Sequence, residues 1–110
     1  MNIGIDMMGG DFAPLEAVKG IQQYLSNNQH NLFCIGDATQ LEGLFQQHGI
    51  ASPFLHLVDA PEVIGYHEHP TKALKEKPNS SIAIGFRYLA EGKIDAFLSA
   101  GNTGAMLVGA

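Results

Sequence analysis

Ile94-Asp95-Ala96-Phe97-Leu98-Ser99-Ala100-Gly101-Asn102-Thr103-Gly104 is the stretch that decides the fold. Residues 94–98 are an apolar run that reads as a strand, residues 99–104 a tight glycine turn, and the apolar residues 105–110 the start of a helix. A strand feeding a helix through such a turn aims free backbone N–H groups and the positive end of a helix dipole at one spot. That suits phosphate or a developing oxyanion, so an anion site is the first expectation. The plainer alternative is that the glycines only permit a tight turn.

Upstream of this stretch, strands and helices alternate. Residues 3–6 followed by Met8-Gly9-Gly10-Asp11 predict a strand and then a glycine loop. Pro14 suits a first helical turn, and Leu15, Val18, Ile21 and Leu25 recur at helical spacing until Asn27-Asn28, which predicts a helix over 14–26. Residues 32–35 are continuously apolar, as in parallel strands covered on both faces, and Gly36 closes the run. Asp37, with Gln40 three residues on, caps a second helix whose buried stripe is Leu41, Leu44 and Phe45 and whose end is His48-Gly49.

Residues 54–58 read as a third strand. The connection over 59–79 holds Pro61, Pro70 and Pro78 with one short helix at 71–77, and loops of that length are commonly functional or mobile. Ser80 or Ser81 caps the next helix, where Ile82, Phe86, Leu89 and Ala90 repeat at helical spacing before Gly92 stops it.

Strand and helix in strict alternation predict an α/β fold, a doubly wound parallel sheet with helices on both faces, because each parallel pair needs a right-handed helical crossover. With strand order 3-2-1-4 the switch point falls between strands one and four, and the loops at Gly9-Gly10 and at residues 101–104 flank one crevice. There is no internal repeat or low-complexity segment. The sequence stops at Ala110 inside an apolar helix pattern, and strand four, apolar on both faces, is left as an edge. Residues 1–110 are therefore expected to be the N-terminal part of a single α/β/α domain.

One hundred and ten residues with 45% hydrophobic content suffice for one soluble domain with a modest core. The single cysteine, Cys34, lies in an apolar run, so it forms no intrachain disulfide and reads as a buried, inert thiol in a reducing compartment. The N-terminus lacks the features of a signal peptide and no window has the length of a membrane span, which makes the expected location cytoplasmic. Six Lys plus Arg against eleven Asp plus Glu give a net charge of −5, without the basic stripe that nucleic-acid binding needs.

The chemical motifs are sparse. Residues 101–104 lack the lysine of a P-loop, and residues 6–10 lack the G-x-G-x-x-G spacing, so neither standard nucleotide fingerprint is present. Asp6 and Asp11 bracket the first glycine loop as candidate metal ligands, bases or helix caps. Ser99 has no G-x-S-x-G elbow and no histidine placed to activate it, which favours a hydrogen-bonding role over a nucleophilic one. His67-Glu68-His69 lacks further ligands at metal spacing, and no metal is expected. Lys72, Lys75 and Lys77 form a small basic cluster suited to an anion or an acidic partner, or to a solvated helix face. The sequon Asn79-Ser80-Ser81 carries nothing without a secretion signal.

Two stretches resemble a known family. Ile3-Gly4-Ile5-Asp6-Met7-Met8-Gly9-Gly10-Asp11-Phe12-Ala13-Pro14 is similar to the opening I-x-I-D-x-M-G-G-D-x-x-P of the phosphate acyltransferases of bacterial phospholipid synthesis, and residues 99–104 match that family's S-A-G-N-T-G. Ile35-Gly36-Asp37, Val63-Ile64, Pro70, Ala73-Leu74-Lys75 and Ser80-Ser81 fall in the family's order, so the likeness covers the chain. Residues 65–69 depart from it, replacing a more acidic, methionine-containing stretch, and Pro78 lies just ahead of Asn79.

The resemblance implies an α/β/α fold related to isocitrate and isopropylmalate dehydrogenases, and transfer of a fatty acyl group from acyl carrier protein to inorganic phosphate, without a cofactor. It also implies a longer homodimeric enzyme that associates peripherally with the cytoplasmic membrane. Asn102 and Thr103, with the amides of Gly101 and Gly104, then become the candidates for phosphate or oxyanion binding, with Gly9 and Gly10 allowing close backbone approach. Asp11, Ser99, Ser80 and Ser81 join them as candidate substrate contacts, and Lys75 and Lys77 as offsets to phosphate charge. Asp6 and Asp11 orient neighbours rather than attack, since a carboxylate repels phosphate. Rival readings are a phosphotransacylase or an NAD-linked dehydrogenase on the same fold, or a non-catalytic module; the 110 residues alone are expected to be inactive.

Overall fold

The computed structural model describes residues 1–8, 15–25, 30–62 and 69–99. Its elements run β1 (Asn2–Asp6), α1 (Leu15–Leu25), β2 (Asn31–Gly36), α2 (Ala38–Gln47), β3 (Leu55–Asp59), α3 (Pro70–Glu76), α4 (Ser81–Ala90) and β4 (Ala96–Leu98). The strands form one sheet in the order β3-β2-β1-β4, parallel throughout, as the alternation predicts. Register is set by Ile3 opposite Leu32 on β2 and Ala96 on β4, and by Leu32 opposite Leu55 on β3.

Helices cover both faces. Val18 and Ile21 of α1 and Leu41 and Phe45 of α2 pack on Leu32 and Cys34, with Ile3 and Ile5 alongside. Ile84 of α4 packs on the opposite face with Ile35 and Ala60, joined by Val58, Tyr88 and Phe97. Val18, Leu32 and Leu41 are fully or almost fully buried, and each such aliphatic side chain contributes about 1.5–3 kcal/mol.

Helix ends follow local chemistry. Asp37 Oδ1 accepts from the Gln40 amide at 3.2 Å to open α2, and Gly49 ends it at φ +66, a left-handed conformation glycine adopts freely. Ser80, not Ser81, caps α4: its Oγ accepts from the Ala83 amide at 3.2 Å.

Two sequence expectations in and after α4 need correction. The buried face of α4 is Ser81, Ile82, Ile84 and Gly85, while Leu89 is 38% exposed and Ala90 also faces out, so the stripe predicted through Leu89 and Ala90 is rotated from the one used. The helix is apolar nearly all round, which leaves its periodicity ambiguous. Strand β4 begins at Ala96 rather than Ile94, because the Lys93 and Ile94 amides reach back to the Tyr88 carbonyl and close the end of α4.

Candidate functional site

The strand order places the carboxyl ends of β1 and β4 side by side. Ile5 pairs with Leu98, so the next residues along the two strands, Asp6 and Ser99, are neighbours. Ser99 Oγ donates to Asp6 Oδ2 at 2.7 Å, and the Met8 amide donates to Asp6 Oδ1 at 3.0 Å. Asp6 is only 5% exposed. One carboxylate thus holds the start of the segment leaving β1 and the start of the segment leaving β4.

Gly9, Gly10, Asp11, Gly101, Asn102, Thr103 and Gly104 lie outside the described residues, as do His67 and Glu68. Where the two glycine motifs begin is on view through Asp6, Met8 and Ser99. The Met7 amide donates to the Ile35 carbonyl at 2.9 Å, which carries the pairing of β1 with β2 to the sheet edge where those motifs start.

The start of α2 is already supplied with acceptors. Besides the Asp37 cap, Asp59 Oδ1 takes the Ala38 amide at 3.2 Å, so two carboxylates meet the positive end of that helix and oppose a further anion. Sequence reading missed Asp59; the signal was an acidic residue ending a strand beside a helix start in the adjacent crossover.

Ser80 and Ser81 are buried at the start of α4. The Ser80 hydroxyl caps the helix, and the Ser81 amide donates to the Glu62 carbonyl at 3.3 Å. Glu62 Oε1 in turn accepts from the Asn79 amide at 3.1 Å, a contact with no sequence signature. Lys75 is exposed in the last turn of α3 and Lys77 follows that helix, while Arg87 Nη2 donates to the Pro78 carbonyl at 2.9 Å and locks the α3–α4 joint. His69 caps α3. Among the described residues no three His, Cys, Asp or Glu gather as a metal site, and no helix is long and apolar enough to cross a membrane. Burial pushes the Cys34 thiol up to about 12, which keeps it protonated and unreactive.

Parallel strands covered by helices on both faces, with the strand order reversing between β1 and β4, define a doubly wound α/β protein, a class whose ligands bind at that reversal. Residues 1–110 match the family described as Fatty acid synthesis protein, and the chain belongs to that family. It is similar to a protein named phosphate acyltransferase from Caldicellulosiruptor bescii, 44% identical over 110 residues covering 99% of this chain and 33% of the relative. Proteins of the same name from Dictyoglomus thermophilum and Tolumonas auensis are each 40% identical, over 97% and 98% of this chain and 32% of their own lengths. The chain spans about a third of the length of the curated relatives it matches.

Proposed function

We propose that this chain forms the phosphate-holding part of an acyltransferase that moves a fatty acyl group from acyl carrier protein to inorganic phosphate, giving acyl phosphate for phospholipid synthesis. The names of its relatives support acyl transfer to phosphate. The observation that carries the reading is the Ser99–Asp6 hydrogen bond, which ties together the roots of both glycine motifs at the switch point of the sheet.

The chemistry asks little of the side chains. A phosphate oxygen is nucleophilic at neutral pH; it attacks the thioester carbonyl, the carbonyl oxygen takes up negative charge, and the C–S bond breaks to release the carrier thiol after protonation. Positioning phosphate and stabilising that oxyanion are the main tasks, and no covalent enzyme intermediate is needed. In this reading the amides of Gly101 and Gly104 and the side chains of Asn102 and Thr103 hold phosphate or oxyanion, Gly9 and Gly10 admit it closely, and Asp11 orients neighbours. Lys75 and Lys77 lower the local negative potential. Homodimerisation and a place at the cytoplasmic face of the membrane belong to the same proposal.

The test is to assay the complete gene product for acyl phosphate formed from acylated carrier protein and phosphate. Asn102→Ala and Thr103→Ala should each reduce phosphate-dependent turnover more than folding stability. Wild-type turnover without any phosphate dependence would end this reading.

A further inference from the structure

We infer that α3 and its joint with α4 form a docking surface for a carboxylate-bearing face of the carrier protein that delivers the acyl group. The inference rests on the proposed acyl transfer and adds to it the place where the protein half of the donor sits.

Charge is unevenly spread along this chain. Of its six Lys and Arg, four (Lys72, Lys75, Lys77 and Arg87) fall within residues 69–90, where Glu76 is the one acidic residue, so that segment carries a net charge of +3 in a chain whose net charge is −5. The fold gathers them on a firm base. Ala73 of α3 and Ile82 of α4 are buried together with Leu74 and Phe86 packed against them, and Arg87 Nη2 holds the Pro78 carbonyl at 2.9 Å. Away from that apolar seam, α3 turns Lys72 and Lys75, three residues apart on one helix face, to solvent. The Lys72 side chain is 71% exposed and pairs with Glu76, 63% exposed, at 3.9 Å. An exposed pair of this kind is worth little and is readily exchanged for a carboxylate on a partner.

Position decides what the cluster serves. Helix α4 starts at the carboxyl edge of the sheet, where Ser80 bridges Glu62 just beyond β3, and the chain after it reaches the amino edge, where the Asp95 amide donates to the Asn2 carbonyl at 2.7 Å. The Ser80 amide donates to the Lys77 carbonyl at 3.1 Å, so the end of α3 also lies at the carboxyl edge, the edge that carries Asp6 and Ser99. Solvated, separated cations do not close on a small anion, but they attract an extended acidic surface and speed its encounter. A membrane is the poorer match, because the exposed residues Thr71, Lys72, Lys75 and Glu76 offer nothing apolar to insert.

The experiment uses the complete gene product and measures KM for acylated carrier protein and KM for phosphate separately. Lys72→Glu should raise the carrier KM about 5-fold with kcat and the phosphate KM unchanged, the size expected when one exposed attraction becomes a repulsion. Lys75→Glu should raise the carrier KM by more than the phosphate KM. Lys93→Glu makes the same change of net charge beside Asn2 at the amino edge and should leave the carrier KM unaltered. The wild-type carrier KM should rise with added KCl, and that of Lys72→Glu less steeply.

A wild-type carrier KM in Lys72→Glu, or an equal rise in Lys93→Glu, overturns the docking surface while leaving acyl transfer standing. A rise confined to the phosphate KM overturns it by assigning the cluster to the anion, and an unchanged carrier KM with lost binding to phosphatidylglycerol vesicles by assigning it to a membrane. Absence of acyl phosphate from acylated carrier protein overturns the underlying reading instead. Should Lys72→Glu fail to fold, Lys72→Gln, expected to raise the carrier KM about 2-fold, decides.

Discussion

Gly85 sits on the buried side of α4, opposite the ring of Phe97 on β4. A Cβ built there falls inside the ring's envelope, nearest to Cζ and Cε1 and 2.6 Å from Cε2, whereas ordinary contact starts near 3.4 Å. The ring in Gly85→Ala must therefore withdraw by at least about 0.8 Å. Its retreat is limited, because Phe86 holds it edge-on at a centroid distance of 5.4 Å. Overpacking of this kind costs about 1–3 kcal/mol, partly offset by the ~1 kcal/mol that alanine gains over glycine inside a helix. Gly43 of α2 provides the contrast, since nothing lies within 4 Å of its Cβ position and the helical gain is unopposed. Urea unfolding followed by circular dichroism should rank Gly43→Ala above wild type by about 0.5–1 kcal/mol and Gly85→Ala below it by about 1 kcal/mol, with unchanged m-values. In a Phe97→Ala background the Gly85→Ala penalty should vanish, giving a coupling of about 1 kcal/mol in a double-mutant cycle. A Gly85→Ala protein as stable as Gly43→Ala would refute the packing argument.

Removing a cap has a simpler readout. Asp37→Ala leaves the Gln40 amide without its side-chain acceptor and should cost about 1 kcal/mol in urea unfolding. Ser80→Ala deletes a fully buried acceptor from the Ala83 amide and should cost about 1–2 kcal/mol. Cys34 titrates near 9.0 when unfolded and near 12 when folded, so the native state keeps a proton that the unfolded state loses between those values. Its contribution to stability is constant below pH 9.0 and declines as pH rises towards 12, by at most about 1.4 kcal/mol per pH unit. Thiol-reagent labelling at pH 8 should accordingly track unfolding, with negligible reaction of the native protein.

Elements with strong local chemistry were legible in the sequence. Asp37 with Gln40, Ser80, Gly49 and Gly92 mark helix ends by caps and positive φ, and the helices end where those residues stand. The unbroken apolar character of residues 32–35 correctly announced a strand covered on both sides. Where apolar residues were too abundant, as in α4, spacing alone did not select the buried stripe, because close approach at Gly85 rather than side-chain bulk sets which face turns inward. The start of β3 shifted by one residue: the Phe54 carbonyl accepts from the Leu32 amide, and the strand itself starts at Leu55. In the candidate site, both glycine motifs were visible as motifs. The Asp6–Ser99 bond was not, since it depends on a register between residues 93 positions apart that no local pattern encodes. Asp59 and Glu62 were missed likewise, each bonding a backbone amide some twenty residues away in sequence.

Among the described strands, β1 lies between β2 and β4. Strand β1 emerges before its partners during synthesis, gains β2 some thirty residues later, and is not joined by β4 until Ala96, Phe97 and Leu98 have left the ribosome. Contacts this distant in sequence form slowly. The two motif roots are thus brought together only by late chain closure, and a nascent chain halted before Ser99 has Asp6 without its hydroxyl partner.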